Sequence, residues 1–369
     1  MQLQQRNPCM GNFSFALRFI HFFSPKEADM RRCAAVSMLC AAALVVVPAL
    51  VAPASAQEAV NKAVWMRSMD EVWNAQDLSV IDEIYAGDLV MVQESGMGAV
   101  AGTAGYHQYV QAFLTGVPDI HIEVEQVLAE GDWAAIRLVA GGTQTGELMG
   151  IPATGRVARV VGISVARFRD GQFVENTSHL DKMALLQKLG VMPPPEFSEE
   201  GWGIPVTSAG AGDPETSKLV AARNVDELWN EGRPELIDEL FAADFVWHSN
   251  DGPPMDREGW RQFVGAYMNA FPDVHFTTKT VIAEGDLVLH DWRATGTQTG
   301  ELLGIPATGR AIDIGGASIY RVHDGRMVEG WSLYDRVGMY QQLGLMPGGE
   351  TAVEASSWGI LKRHFGLGH

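Results

Sequence analysis

The fifteen residues 142–156, GTQTGELMGIPATGR, return at 296–310 as GTQTGELLGIPATGR, and the two stretches differ only at Met149/Leu303. The correspondence spreads outward from there. Val72-Trp73-Asn74 answers Leu228-Trp229-Asn230, Pro118-Asp119 answers Pro272-Asp273, and Glu130-Gly131-Asp132 answers Glu284-Gly285-Asp286. Toward the ends of the copies Leu189-Gly190-Val191-Met192-Pro193 answers Leu343-Gly344-Leu345-Met346-Pro347, and Trp202-Gly203-Ile204 answers Trp358-Gly359-Ile360. Solenoid units run to ~20–50 residues, so a repeat at this much longer spacing means a duplicated domain. A stretch rich in Gly, Ala, Ser and Pro at 205–216 reads as the linker. The first domain then covers 57–204, the second 217–347, and a tail 348–369.

Residues 1–56 read as a leader. Arg31-Arg32 is a basic n-region, 33–52 is an apolar run, and Ala54-Ser55-Ala56 is an A-x-A cleavage site before Gln57. Met30 directly precedes the arginine pair and is read as the true start. The alternative is an uncleaved anchor, since the apolar run approaches spanning length. Cleavage gives an exported chain, periplasmic or secreted, with no stable membrane insertion. All three cysteines, Cys9, Cys33 and Cys40, leave with the leader. Disulfides, thiolate catalysis and cysteine-held metals are thereby excluded from the mature chain. The net charge of −18 becomes −21 on loss of five basic and two acidic leader residues. That balance argues against a nucleic-acid or anionic-membrane partner, which needs Lys/Arg patches.

Within each copy helices come first and strands after, an α+β order. The first helix carries Val64, Met69, Val72 and Trp73 in copy one, and Leu219, Val225, Leu228 and Trp229 in copy two, at helical spacing. In copy two a strand is expected at 244–248, a helix at 257–271, long strands at 274–284, 287–299, 309–323 and 326–334, and a closing helix at 335–343. Asp324-Gly325 and Asp170-Gly171 mark hairpin turns.

The ordered set of a Trp-Asn helix, an Asp-Phe-Val strand, a Phe-Pro-Asp turn, a T-G-E-L-x-G-I-P-A-T-G loop, D-G-x-x-V-E-x-W-x-x-x-D and a final Q-L-G resembles the SnoaL-like polyketide cyclase (ester cyclase) family of the NTF2-like superfamily. The resemblance covers nearly all of both copies. It implies two tandem cone domains, each a curved antiparallel sheet with helices packed on it around an apolar pocket. It also implies cofactor-free, metal-free aldol cyclisation, with an Asp as general acid/base and a His assisting. Carried over by position, the acid/base falls on Asp335 in copy two and Asp181 in copy one. Copy two keeps Trp331 and His248, where copy one has Thr177 and Val92. Both copies carry Gln, at Gln144 and Gln298, where the family commonly has His. Copy one therefore reads as partly degenerate and copy two as the seat of chemistry.

Aldol closure needs a base for a proton α to a carbonyl and a donor for the enolate oxygen. Asp335 and His248 are the expected acid/base pair, and Gln298 the expected oxyanion donor. Trp247, Trp260, His290, Trp292, Trp331 and Tyr334 are the expected lining of a pocket for a small apolar carbonyl compound. Asp181 and Gln144 would mark a domain 1 site. Asp335 also sits where Asp commonly caps a helix, so a purely structural role is open. The same cone could instead hold a small molecule without chemistry, or serve as a scaffold, with the domains pairing within the chain or as a homo-oligomer. No H-E-x-x-H, G-x-S-x-G or phosphate-loop spacing is present.

Overall fold

The computed structural model describes residues 56–93, 98–193, 206–207, 209–248 and 252–346. Residues 1–55 of the leader, with all of its cleavage site but Ala56, and the C-terminal tail lie outside the described residues. Domain 1 begins with α1 (Ala56–Arg67), which widens into a π-helical stretch over Ser68–Asn74. A short α2 (Ile81–Ile84) leads into β1 (Tyr85–Gln93) and β2 (Gly98–Ala101). Then follow α3 (Gly102–Gly116), β3 (His121–Glu130), β4 (Trp133–Thr143), β5 (Val157–Arg169), β6 (Gln172–Leu180) and α4 (Lys182–Lys188). Domain 2 repeats the order: α5 (Pro214–Arg223), a π-helical Asn224–Asn230, α6 (Ile237–Leu240), β7 (Phe241–His248), β8 (Met255–Asp256) and α7 (Arg257–Ala270). It closes with β9 (His275–Glu284), β10 (Leu287–Thr297), β11 (Ala311–His323), β12 (Arg326–Tyr334) and α8 (Arg336–Gln342).

Each domain is one six-stranded sheet, ordered β2-β1-β6-β5-β4-β3 and β8-β7-β12-β11-β10-β9. The sheets are antiparallel except for one parallel pair in each. β1 runs parallel to β6 and β7 parallel to β12, because each enters the sheet beside the last strand of its own domain. The linker is also shorter than its composition suggests. Pro214 occupies the first turn of α5 and Asp213 caps it, with its carboxylate accepting from the Glu215 and Thr216 amides.

The repeated motifs turn out to be joints. The Asn74 side chain clamps Ile122, donating to its carbonyl at 2.9 Å and accepting from its amide at 2.7 Å. Asn230 does the same to Phe276 at 3.0 and 2.7 Å. Asp119 accepts from the Thr143 amide and Asp273 from the Thr297 amide, both at 2.6 Å. In both hairpins the Asp and Gly take positive φ, as a two-residue type I′ turn requires.

The two sheets pack face to face. Leu128, Val139 and Ile163 of domain 1 share a buried apolar cluster with Leu289, Ile319 and Trp331 of domain 2. The rim is reciprocal. Lys62 reaches Glu284 at 2.5 Å, and Lys218 reaches Glu130 at 2.6 Å. Glu284 also accepts from the Ala129 amide at 3.1 Å, and Glu130 from the Ala283 amide at 2.9 Å. Each domain thus offers its helices to its own cavity and its bare sheet face to the other domain.

Candidate functional site

The concave face of each sheet, closed by its helices, holds an apolar cavity. That of domain 1 is about 120 Å³ and that of domain 2 about 80 Å³. Strand alternation decides which side chains enter, since residues two apart share a face. On β12, Ser332 and Tyr334 line the domain 2 cavity, while Trp331 and Leu333 belong to the inter-domain cluster. On β10, His290, Trp292 and Ala294 line the cavity, while Asp291 points to the other face and meets domain 1.

The cavities have diverged. Trp292 stands where domain 1 has Leu138, and Trp247 where it has Met91. The larger side chains fit because the neighbouring strands carry glycine. A Cβ on Gly330 would lie 2.6 Å from the Trp247 ring, and one on Gly316 would collide with the Trp292 indole. The polar groups differ too. His290 replaces Ile136, and Asn176 of domain 1 is replaced by Gly330. Asn176 lines the domain 1 cavity at 6% exposure, and its Oδ1 has no hydrogen-bond partner among the described residues. In domain 2 the Nε1 groups of Trp247 and Trp260 and the Oδ1 of Asn224 are likewise unpartnered there.

The SnoaL-like polyketide cyclase family model matches residues 63–189 and again 219–343, which together exceed half of the chain. The chain belongs to the SnoaL-like polyketide cyclase family. Among solved structures, a SnoaL-like protein of Jannaschia sp. CCS1 is 26% identical, over 38% of this chain and 97% of its own, with a TM-score of 0.36. IdmH of Streptomyces antibioticus, a candidate polyketide cyclase, is 35% identical over 35% of this chain and 98% of its own, with a TM-score of 0.32. A candidate polyketide cyclase of Acidithiobacillus ferrooxidans is 31% identical, over 35% and 94% respectively, with a TM-score of 0.32. No curated protein matches.

In the second SnoaL-like domain, Trp247, Trp260, His290, Trp292 and Tyr334 line the cavity together. The indoles of Trp247 and Trp260 lie 4.3 Å apart between centroids, and the Tyr334 hydroxyl meets that of Tyr267 at 3.0 Å. Trp292 donates to the Ser318 hydroxyl at 3.0 Å. Four expected residues lie elsewhere. Trp331 and His248 share the opposite face of the sheet, where they stack with centroids 5.2 Å apart and His248 Nε2 lies 3.0 Å from Glu329. Their place follows from register, since they are direct partners across β12 and β7. Asp335 caps α8, accepting from the Gly338 amide at 2.9 Å, and is not among the cavity-lining residues.

Gln298 is fully buried and fully committed. Its amide donates to the Ile305 and Pro306 carbonyls at 3.3 Å each, and its oxygen accepts from the Thr308 amide and hydroxyl at 3.2 and 2.7 Å. This is why the fifteen-residue stretch is preserved in both copies: the Gln and the Thr stitch the loop to itself. Gln144 repeats the pattern with Ile151, Pro152 and Thr154 in the wall of the domain 1 cavity. Asp181 caps α4, accepting from the Ala184 amide at 2.9 Å, and lies against Arg336 of domain 2. No carboxylate lines either cavity among the described residues.

These placements give two stability predictions. Asp335→Ala is expected to cost ~1 kcal/mol through loss of the cap, measured by urea unfolding, whereas Asp335→Asn keeps a good cap and should cost much less. The second concerns pH. Burial lowers the His290 imidazole to about 4, so the folded chain holds it neutral where the unfolded chain protonates. Stability is full above the unfolded value of ~6.5 and is lost as pH falls toward 4, by up to ~3 kcal/mol from this group. His290→Ile is expected to flatten the thermal midpoint over that window. An unchanged pH slope would contradict the burial of a neutral imidazole.

Proposed function

We propose that the chain is exported and acts on a small apolar carbonyl compound by cofactor-free proton transfer in the domain 2 cavity, closing a ring by aldol addition or shifting a double bond. The observation that carries this reading is His290, the one imidazole among the described residues that line the largely apolar domain 2 cavity. Its Nε2 lies 2.9 Å from Thr278 Oγ1. The reaction class is taken from the family, and the acid/base role is given to His290 rather than Asp335 in this reading because His290 lines the cavity while Asp335 caps α8. An imidazole lowered to about 4 is neutral at working pH but a weak base. It therefore suits a carbon already acidified by two flanking carbonyls. The enolate formed beside it would favour the imidazolium by direct charge attraction. Trp247 and Trp260 would donate their free N–H groups to the enolate oxygen. Carbon–carbon closure leaves an alkoxide, to which the imidazolium returns the proton, so the product is an isomer of the substrate.

The test is incubation of the leaderless chain with aryl 1,3-diketones carrying a second carbonyl within reach. A product of equal mass and altered chromatographic retention is expected. A second reading, binding without turnover, is favoured by one observation: among the described residues neither cavity is lined by a carboxylate. Ligand retention with no isomer formed would support it against the enzyme.

A further inference from the structure

The contacts between the two domains fall into two kinds. Most are reciprocal under exchange of the copies: Lys62–Glu284 mirrors Lys218–Glu130, and the amide contacts of Ala129 and Ala283 mirror one another. At the closing helices Arg336 approaches Asp181, while Lys182 feels the charge of Asp335. Such contacts would form equally well between two copies of the same domain, so they hold the faces together without choosing a partner.

Among the described residues, one buried ion pair across the two domains is not reciprocal. His179 of β6 meets Asp291 of β10 at 2.9 Å, with side-chain exposures of only 2% and 3%. The positions that mirror them are Leu333 and Arg137. Arg137, 4% exposed, is held by Glu125 of its own domain. Leu333 is packed in the apolar cluster between the sheets. We infer that the His179–Asp291 pair makes this face selective, so that domain 1 takes domain 2 as its partner and neither takes its own kind.

The physical reason is what each like pair would bury. Two domain 2 faces would set each Asp291 against Leu333, leaving two carboxylates sealed in an apolar layer with no cross-domain partner, which is strongly unfavourable. Two domain 1 faces would set each His179 against Arg137, a guanidinium already committed to Glu125, and Asp291 would be absent. Only the unlike pair gives the carboxylate a hydrogen-bonding partner. Duplication followed by divergence at two positions, 179/333 and 137/291, would turn a self-complementary face into one that needs its sister.

The experiment cuts the folded chain at a protease site placed within 195–205. Residues 206–210 remain with domain 2, where Arg321 donates to the Thr207 carbonyl at 2.9 Å and Asp286 accepts from the Gly210 amide at 2.6 Å. Isotopically labelled and unlabelled cut proteins are mixed at a urea concentration below the unfolding transition, until labels have scrambled among the pairs. Native mass spectrometry is then expected to show only 1–2 pairs, labelled and mixed. In His179→Leu/Asp291→Leu the like pairs should appear and approach the statistical mixture. A statistical mixture from the wild-type pieces overturns the proposal, as does a double variant that still forms only unlike pairs. A melting series is an independent check. His179→Leu alone should lower Tm by several degrees, and adding Asp291→Leu should restore most of it. A double variant no more stable than the single one would remove the pair from the account.

Discussion

Replacing His290 by isoleucine, the residue domain 1 carries at Ile136, is expected to lower turnover by about 10²–10⁴-fold, the range ordinary for loss of a positioned acid/base. The change is built to spare the fold. Isoleucine is accepted at this register in the sister domain, and Thr278, the partner of His290, is solvent-exposed and can turn to water. Ligand affinity should change far less than turnover, because Trp247, Trp260, Trp292 and Tyr334 still form the walls. Because the imidazole is lowered to about 4, the wild-type rate should be level from pH 8 to near 5 and fall toward 4 as the base protonates. A variant with undiminished turnover would remove His290 from the chemistry.

Gln298→Leu is expected to destabilise domain 2 while leaving its cavity walls intact. It strips partners from the Ile305 and Pro306 carbonyls and from the Thr308 amide. The Ile305 carbonyl keeps the Leu302 amide and Pro306 is exposed, so the loss falls mainly on the Thr308 amide and should be roughly 1–3 kcal/mol, the cost of one buried polar group left unpaired. Gln144→Leu should act on domain 1 in the same way, through the matching bonds to Ile151 and Thr154. The measurement is the urea midpoint, together with hydrogen exchange of the loop amides. Unchanged protection at Thr308 would show that the stitch does not hold the loop.

The duplicated plan and most element positions were legible because they rest on short-range signals: helical spacing, Asp-Gly turns, and a repeat that shows every feature twice. The sheet's parallel pairs were not, since nothing local in residues 241–248 tells which strand they will lie beside. The cavity residues divided along the same line. His290 and Trp292 could be placed on one face of a strand by counting in twos, and they share the wall. The same count applied from Tyr334 would have sent Trp331 to the far face, but a large aromatic next to a family motif reads as pocket lining from composition alone. Asp335 carried two readings in the sequence, and the structure shows the cap. His179 and Asn176 were passed over because neither belongs to a shared motif. Their meaning comes from what faces them, a carboxylate of the other domain and the cavity interior, and long-range neighbours of this kind are not written in spacing.

The measurement that bears most directly on the assignment of chemistry to the cavity wall follows two groups at once during titration with a turnover-resistant aryl diketone. One is the His290 imidazole, read by ¹⁵N resonances, and the other is the Asp335 carboxyl, read by ¹³C. Ligand is expected to move the His290 resonances and leave the Asp335 carboxyl where it was. Movement at Asp335 with His290 unperturbed would contradict the account, and would return the acid/base role to the helix cap.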